Sequence, residues 1–441
     1  MNKYKTLISM VCTFFVNFSV FAEDQASTVD KKEQTEVIEA ISKQLQDNYI
    51  FPKVANKMAT HIRKQHKKGK YKKLLKPKEF ANQLTKDLLS ISKDKHIRVM
   101  FNPEAIARQN QAVSAEEQET LRQNHIKQAK KNNFGFNEVK ILNGNIGYLD
   151  LRSFSDTSYA SETAVAAMNF LSNTDSMIID LRQNGGGSPA MIQLITSYLY
   201  DGEPVHLNNF YWRPTDLHTQ TWTLPHVPGK RSPDTPVYVL TSNRTFSAAE
   251  EFSYNLKNLK RATLIGETTG GGAHPGDTVN ATERFQVWVP SGRAINPITK
   301  TNWEGTGVEP HIQVDQTDAL NTAQIKALEV LIENSTNKES KYTYEWALDT
   351  LKTKDLNIKL EPTVLDSYVG SYGPRVISKK GNQLFYQRGE GTKYKLKAMK
   401  PNEFILEGLD YFRIKFEVKE KKVHALIGKY DNGTTDKNLR N

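Results

Sequence analysis

The feature that most constrains this fold is a repeated alternation of apolar strands and helices between residues 134 and 266. Apolar strands are predicted at 176–182, 237–241 and 262–266, with helical periodicity between them. Strands buried on both faces read as continuous apolar runs, and strands joined through helices run parallel. The pattern therefore predicts an α/β core built on an at least partly parallel sheet.

Regions of different character flank this core, and 441 residues are enough for two or three domains. Helical spacing predicts three helices between residues 29 and 91, which indicates a helical cap domain, and short alternating strands after residue 361 indicate a small all-β domain. The predicted organisation is a helical domain at 23–102, a connector at 103–133, the α/β core at 134–335, a polar linker at 336–360 and the β domain at 361–441.

The first 22 residues have the pattern of a cleaved secretory signal. Lys3 and Lys5 precede a short apolar run, and the segment closes on a Val-x-Ala sequence at Ala22. Cys12, the single cysteine of the chain, would leave with this segment, so no disulfide or thiol chemistry is expected. Since no later run reaches the length of a membrane span, we expect an exported protein, periplasmic or secreted.

The formal net charge is +11, and much of the excess lies between His61 and Lys78. Such a segment could bind nucleic acid or an anionic surface. Tyr71 is the only aromatic residue among these lysines, and export removes the protein from nucleic acids. We therefore interpret the segment as a solvated helix face without a nucleic-acid partner, and His61 and His66 as solvated side chains rather than metal ligands.

The stretch at 241–252 follows one predicted strand and opens a helix, with Ser247 at the junction. A serine there can be a nucleophile, because the helix N-terminus stabilises negative charge. This stretch alone favours a helix cap, made by Thr245 or Ser247, because serine and threonine lead the N-cap preferences. The glycines at 185–187 also follow a strand, so a backbone amide of this cluster could donate to an oxyanion together with the amide after Ser247.

Four sequence elements, in this order, resemble those of the tail-specific, or C-terminal-processing, serine peptidase superfamily: Asp94-Lys-His-Ile-Arg98, Asp180-Leu-Arg-Gln-Asn-Gly-Gly-Gly187, Ser242-x-x-Thr-Phe-Ser-Ala-Ala-Glu250 and Gly305-Thr-Gly-Val-Glu-Pro310. The resemblance covers residues 93 to about 315. It implies a crotonase-like (ClpP-like) α/β core and hydrolysis of peptide bonds through an acyl-enzyme.

The resemblance also implies roles for individual residues. Ser247 matches the nucleophile, and Gly186 and Ala248 match the residues whose amides form the oxyanion hole. His96 matches the general base, and Glu304 falls at the position of the acid that stabilises the imidazolium.

Two departures define the branch of the superfamily. Residues 267–272 contain no lysine, which disfavours a Ser–Lys dyad, and about 44 residues between Phe101 and the strand at 146 are too few for a PDZ domain. The chain therefore resembles the tricorn-like or retinoid-binding-protein-like branch. Lys95 stands beside His96 where that branch has a serine, so His274 remains a rival base.

We expect an exported serine peptidase that acts on peptide or protein substrates without a metal or organic cofactor. The alternative is a non-catalytic protein that binds hydrophobic ligands or peptides on the same scaffold. Retention of Ser247, His96 and Glu304 favours the enzyme. An acyl-CoA enzyme of the crotonase type is disfavoured by export.

Overall fold

The computed structural model of the protein describes residues 28–110, 114–356 and 358–441. The predicted signal at 1–22 lies outside the described residues. Across those three ranges, no helix has both the length and the apolar character that crossing a membrane requires. The chain divides into two compact units, one of residues up to 119 with 210–218 and 274–294, the other of residues 120–209, 219–273 and 295–441.

Three helices open the first unit where the sequence predicts them: α1 (Lys31–Asn48), α2 (Pro52–Lys67) and α3 (Pro77–Ser92). Asp30 caps α1 by accepting a hydrogen bond from the amide of Glu33 at 2.7 Å. Prolines begin the other two helices, where the first N–H has no intrahelical partner in any case. Val37, Ile41 and Leu45 lie at helical spacing and are fully buried.

The first unit also contains a three-stranded antiparallel sheet made of β1 (Arg98–Phe101), β9 (Gly276–Asn280) and β10 (Phe285–Pro290), with β10 in the centre. The apolar residues of β10 share one core with the helices, and the rings of Phe80 and Phe285 meet edge-on at 5.9 Å. Both outer strands are antiparallel to β10, so they run in the same direction and begin at the same end of the sheet. After β1 the chain continues into α4 (Pro103–Asn110) and α5 (Ala115–Lys131).

A six-stranded sheet forms the core of the second unit, in the order β12-β8-β7-β4-β3-β2. Its strands are β2 (Phe136–Leu142), β3 (Ile146–Leu151), β4 (Ser176–Asp180), β7 (Val237–Thr241), β8 (Ala262–Gly266) and β12 (Ile312–Gln313). All neighbours are parallel except β2 and β3. Every residue of β3, β4 and β7 is buried. The predicted α/β core with an at least partly parallel sheet is confirmed.

The helices between these strands are α6 (Thr157–Leu171), α7 (Pro189–Ser197) and α8 (Ala248–Asn258). Two more follow the sheet: α9 (Ala319–Asn334) and α10 (Lys338–Asp355). The second of these lies in the segment 336–360 that was expected to be linker. Its Tyr344, Ala347 and Leu351 are buried in one cluster with sheet residues such as Ile146 and Ile178. This helix belongs to the core because these three residues share one of its faces and pack against the sheet.

A further sheet, in the order β11-β5-β6, contains β5 (His206–Trp212), β6 (Leu217–Trp222) and β11 (Gly292–Ile295). The first two strands were not predicted from the sequence. Asn208 and Asn209 in β5 and the polar Leu217-His-Thr-Gln-Thr-Trp222 of β6 have low strand propensity or weak alternation. Pairing with neighbouring strands outweighs that propensity.

The C-terminal part of the second unit begins with a short helix, α11 (Pro362–Tyr368), and continues as eight antiparallel strands paired in sequence order. They are β13 (Gly370–Tyr372), β14 (Arg375–Lys380), β15 (Gln383–Arg388), β16 (Tyr394–Lys400), β17 (Glu403–Leu406), β18 (Leu409–Lys419), β19 (Lys422–Tyr430) and β20 (Thr435–Leu439). A bridge between Tyr372 and Arg440 connects the two ends of the sheet, which makes it barrel-like. The predicted C-terminal β region is thereby confirmed.

Candidate active site

Ser247 lies between β7 and α8, at the N-cap position of the helix. Its backbone has φ 54° and ψ −119°, a conformation that costs a residue with a side chain on the order of 1–3 kcal/mol. The amides of Glu250 and Glu251 both donate to the carbonyl oxygen of Ser247 at 2.9 Å. The serine is thus held in a strained turn at the positive end of a helix dipole, whether it serves as a cap or as a nucleophile.

The strained turn at Ser247 is held by Glu250, a buried carboxylate one turn into α8. It accepts hydrogen bonds from the Ser247 amide (2.8 Å), the Thr269 hydroxyl (2.5 Å) and the amides of Gly271 (2.6 Å) and Gly272 (2.8 Å). Burial raises the pKa of Glu250, and these four hydrogen bonds oppose that rise. The carboxylate therefore ties the serine turn to the glycine loop at 270–272.

Gly186 packs directly against this turn. Its φ is +112°, and a Cβ built on it would lie 2.9 Å from the Ser247 Cβ and 3.1 Å from the Ala248 amide nitrogen. Glycine is therefore needed here both for the backbone conformation and for space. The Gly186 amide donates to Asn184 Oδ1 at 2.8 Å, and the Asn184 carbonyl accepts from the amide of Phe246 at 3.0 Å. Asn184 thus connects the two loops that carry the predicted oxyanion donors.

Glu304 lies in the same unit as Ser247, and its carboxylate binds the backbone next to the glycine loop. Its Oε2 accepts from the amide of Ala273 at 2.6 Å, and the indole N–H of neighbouring Trp303 donates to the Gly272 carbonyl at 2.7 Å. The segment at 303–304 therefore holds the end of the glycine loop through two further hydrogen bonds.

Both candidate bases lie in the first unit, next to one buried carboxylate. His96 precedes β1 and His274 precedes β9, so the parallel direction of these two strands brings the histidines to the same end of the sheet. Asp94 Oδ2 lies 2.9 Å from His274 Nδ1, while Asp94 Oδ1 lies 3.6 Å from His96 Nδ1 and accepts from the His96 amide at 3.1 Å. The Tyr49 hydroxyl donates to Asp94 Oδ2 at 3.2 Å.

Asp94 stays ionised in this setting. Burial alone would raise its pKa, but hydrogen bonds from His274 and His96, together with the charges of both rings, lower the pKa to about 2. Asp94 and His274 are also residue types that bind metals, but the 2.9 Å separation of Asp94 Oδ2 and His274 Nδ1 is that of a histidine–carboxylate hydrogen bond.

The structure thus brings Ser247, Gly186 and Ala248 together, and places His96 beside His274. Sequence analysis missed two residues of this arrangement, Asp94 and Glu250. Asp94 lies within the quoted Asp94-Lys-His motif, and the Ser-x-x-Glu spacing of a capping box could have identified Glu250. By contrast, the partner of His274 lies 180 positions away in the chain, and no local pattern indicates it.

Glu251 is a second buried acid in α8, 4% exposed. Burial raises its pKa to about 7, and the side-chain amides of Asn208 and Asn255 oppose part of the rise. Its neutral form is favoured at slightly acidic pH. The adjacent Glu250 differs in having four hydrogen-bond donors that oppose the effect of burial on its pKa.

A cavity of about 900 Å³ opens at the carboxyl ends of β3 and β4. Its walls come from residues 131–137 and 152–156 and from Gly187 and Ser188, which directly follow Gly186. Parallel sheets commonly bind ligands at this edge. The cavity therefore lies beside one predicted oxyanion donor, within the second unit.

Two family models match this chain. The model of peptidase family S41 matches residues 145–314, and that of the N-terminal domain of Peptidase_S41 in eukaryotic IRBP matches residues 28–133. Together they cover well over half of the chain. Matches of this extent identify a peptidase of the serine type. More particularly, the chain belongs to peptidase family S41.

Remote structural similarity extends to several solved structures. A Parabacteroides merdae protein described as a candidate peptidase has 21% identity over 64% of this chain and 90% of its own, with a TM-score of 0.44. The photosystem II D1 C-terminal processing protease has 16% identity over 64% of this chain and 93% of its own (TM-score 0.42). For the tricorn protease the identity is 13% over 73% of this chain, but only 37% of that protease is spanned (TM-score 0.41).

Proposed function

We propose that the protein hydrolyses peptide bonds through an acyl-enzyme on Ser247. The observation that supports this most is the strained serine turn at the N-terminus of α8, in contact with Gly186. The amide of Ala248, and that of Gly186 once it shares its hydrogen bond with Asn184, would stabilise the oxyanion of the tetrahedral intermediate. That intermediate forms when Ser247 attacks the substrate carbonyl. Its C–N bond breaks, the amine product leaves, and water then hydrolyses the acyl-enzyme.

The general base in this proposal is a histidine bound to Asp94. His96 is supported by its place in the ordered motifs, and His274 by its shorter contact with Asp94, 2.9 Å against 3.6 Å. A carboxylate on Nδ1 orients the ring and stabilises the imidazolium that forms when the serine proton is taken. Asp94 supplies this charge in either case, and Glu304, which the resemblance places at the position of the acid, also holds the glycine loop through Ala273.

Three further features belong to the proposal. The core of the second unit is crotonase-like, as the resemblance implies. The cavity beside Gly187 receives side chains of a peptide or protein substrate. The protein is exported to the periplasm or beyond, as the basic and apolar residues at 1–22 indicate.

Labelling with a fluorophosphonate probe tests the chemistry directly. Wild type should label and cleave a peptide library, and Ser247→Ala should do neither. Ser253→Ala, which alters a buried serine of the same helix, should behave as wild type. If only one of the variants His96→Ala and His274→Ala loses labelling, the histidine changed in that variant is the base. An unlabelled wild type that cleaves no peptide would favour the non-catalytic binding protein instead.

A further inference from the structure

The basic character of this protein is confined to one segment. Residues 48–78 contain ten lysines and one arginine but no acidic residue, whereas the other 410 residues hold 49 cationic and 49 acidic side chains. The net charge of +11 therefore equals the charge of these 31 positions. A general need for solubility would be met by charge spread over the whole surface, so this segregation calls for a local explanation.

The structure exposes these charges along α2 and along the turn that follows it. Lys53, Lys57, Lys64 and Lys67 lie on the exposed face of α2, at spacings of four, seven and three residues. The exposed lysines continue through the turn after α2 and into the start of α3, at positions 68, 70, 72, 73, 76 and 78. We call these ten lysines the basic surface. The helix dipole stabilises one or two cations in the last turn of a helix. It does not account for the lysines beyond the end of α2.

This surface is held rigidly. Tyr71, in the middle of the turn, is fully buried and donates a hydrogen bond to Asp87 at 2.7 Å. The side-chain amide of Gln34 donates to the carbonyls of Tyr71 and Leu74 at 3.0 and 3.1 Å. The lysines on either side of Tyr71 are therefore presented by a fixed backbone rather than by a flexible tail.

Few of these charges are neutralised within the protein. Lys70 pairs with Asp87 and Lys76 with Glu79, and Arg63 of the same segment pairs with Glu39. In the part of the chain that the structure describes, the remaining eight lysines of the surface have no carboxylate within 4 Å. Neighbouring like charges repel one another, so the fold tolerates a repulsion that an anionic partner would relieve.

The side chains between the lysines indicate which anion is bound. Single-stranded nucleic acids stack their bases on exposed aromatic rings, but Tyr49 and Tyr71 are buried and Phe51 is half-buried. The exposed apolar residue of this surface is instead Leu75, half of whose area is accessible. Clusters of lysines with an adjacent apolar side chain suit a bilayer with anionic headgroups. We propose that the basic surface docks the protein on an anionic lipid bilayer.

Vesicle sedimentation tests this with the full-length protein and a fourfold variant, Lys67→Gln, Lys68→Gln, Lys72→Gln and Lys73→Gln. Each lysine near an anionic membrane contributes about fivefold in affinity. The variant should therefore bind vesicles of phosphatidylglycerol and phosphatidylcholine at least a hundredfold more weakly than wild type. Wild type should not bind vesicles of phosphatidylcholine alone, and should be released as ionic strength rises from about 0.1 to 0.5 M.

The matched control removes the same charge elsewhere, by changing the exposed Lys395, Lys415, Lys421 and Lys422 of the C-terminal β region to glutamine. It should bind anionic vesicles as wild type does. Equal binding by wild type and the first variant, or equal loss in both variants, would overturn the proposal. So would tighter binding of wild type to a single-stranded oligonucleotide than to anionic vesicles. Peptidase activity on a soluble peptide should be unchanged in both variants.

Discussion

The buried acid Glu251 makes the stability of the second unit depend on pH. Its pKa is raised from 4.5 to about 7 by burial. Between these two values the folded chain holds a proton that the unfolded chain has lost, so stability falls as pH rises through this range. This difference in pKa contributes about 3 kcal/mol to the free energy of unfolding at low pH, and the contribution is fully lost above pH 7. Glutamine has nearly the same shape, cannot ionise, and avoids that loss.

We therefore expect Glu251→Gln to be close to wild type in stability near pH 4.5 and more stable by about 3 kcal/mol near pH 8.5. Urea denaturation at several pH values, with wild type and variant measured side by side, gives this difference directly. Glu345→Gln, at an exposed position of α10, is the matched control and should show no such trend. A difference between wild type and Glu251→Gln that stays constant from pH 4.5 to 8.5 would refute the reasoning.

Three other substitutions test the site. Gly186→Ala should lower kcat at least a hundredfold, because its Cβ would meet Ser247 in a backbone conformation that costs roughly 1–3 kcal/mol. Gly185→Ala, with open space around its Cβ, should remain active. Glu250→Gln should lower the free energy of unfolding by about 2–4 kcal/mol, since the new amide NH2 group then faces two of the four donors; an unchanged melting temperature would contradict this. Asp94→Asn should lower kcat at every pH measured between 5 and 9, because the pKa of Asp94, about 2, keeps wild-type Asp94 ionised throughout. If Asp94→Asn only shifted the acidic side of the pH–rate profile and kept the maximal kcat, the proposed role of Asp94 would be contradicted.

Local sequence patterns determined the helices of the first unit and the parallel strands of the second. Apolar residues recur at distances of one to four positions in these elements, and such spacing is set by the geometry of a single helix or strand. The same is true of Ser247, whose place between β7 and α8 follows from the strand and helix patterns on either side. The cluster of lysines at 53–78 is also visible in the sequence.

The tertiary structure decided which distant residues meet. Asp94 and His274 come together because β1 and β9 flank β10 in the same direction, and Glu250 acts as a clamp because the glycine loop returns to α8. Helix α10 packs on the sheet through a few buried residues that composition alone assigned to a linker. These contacts depend on the path of the chain over many residues, which short-range periodicity does not encode.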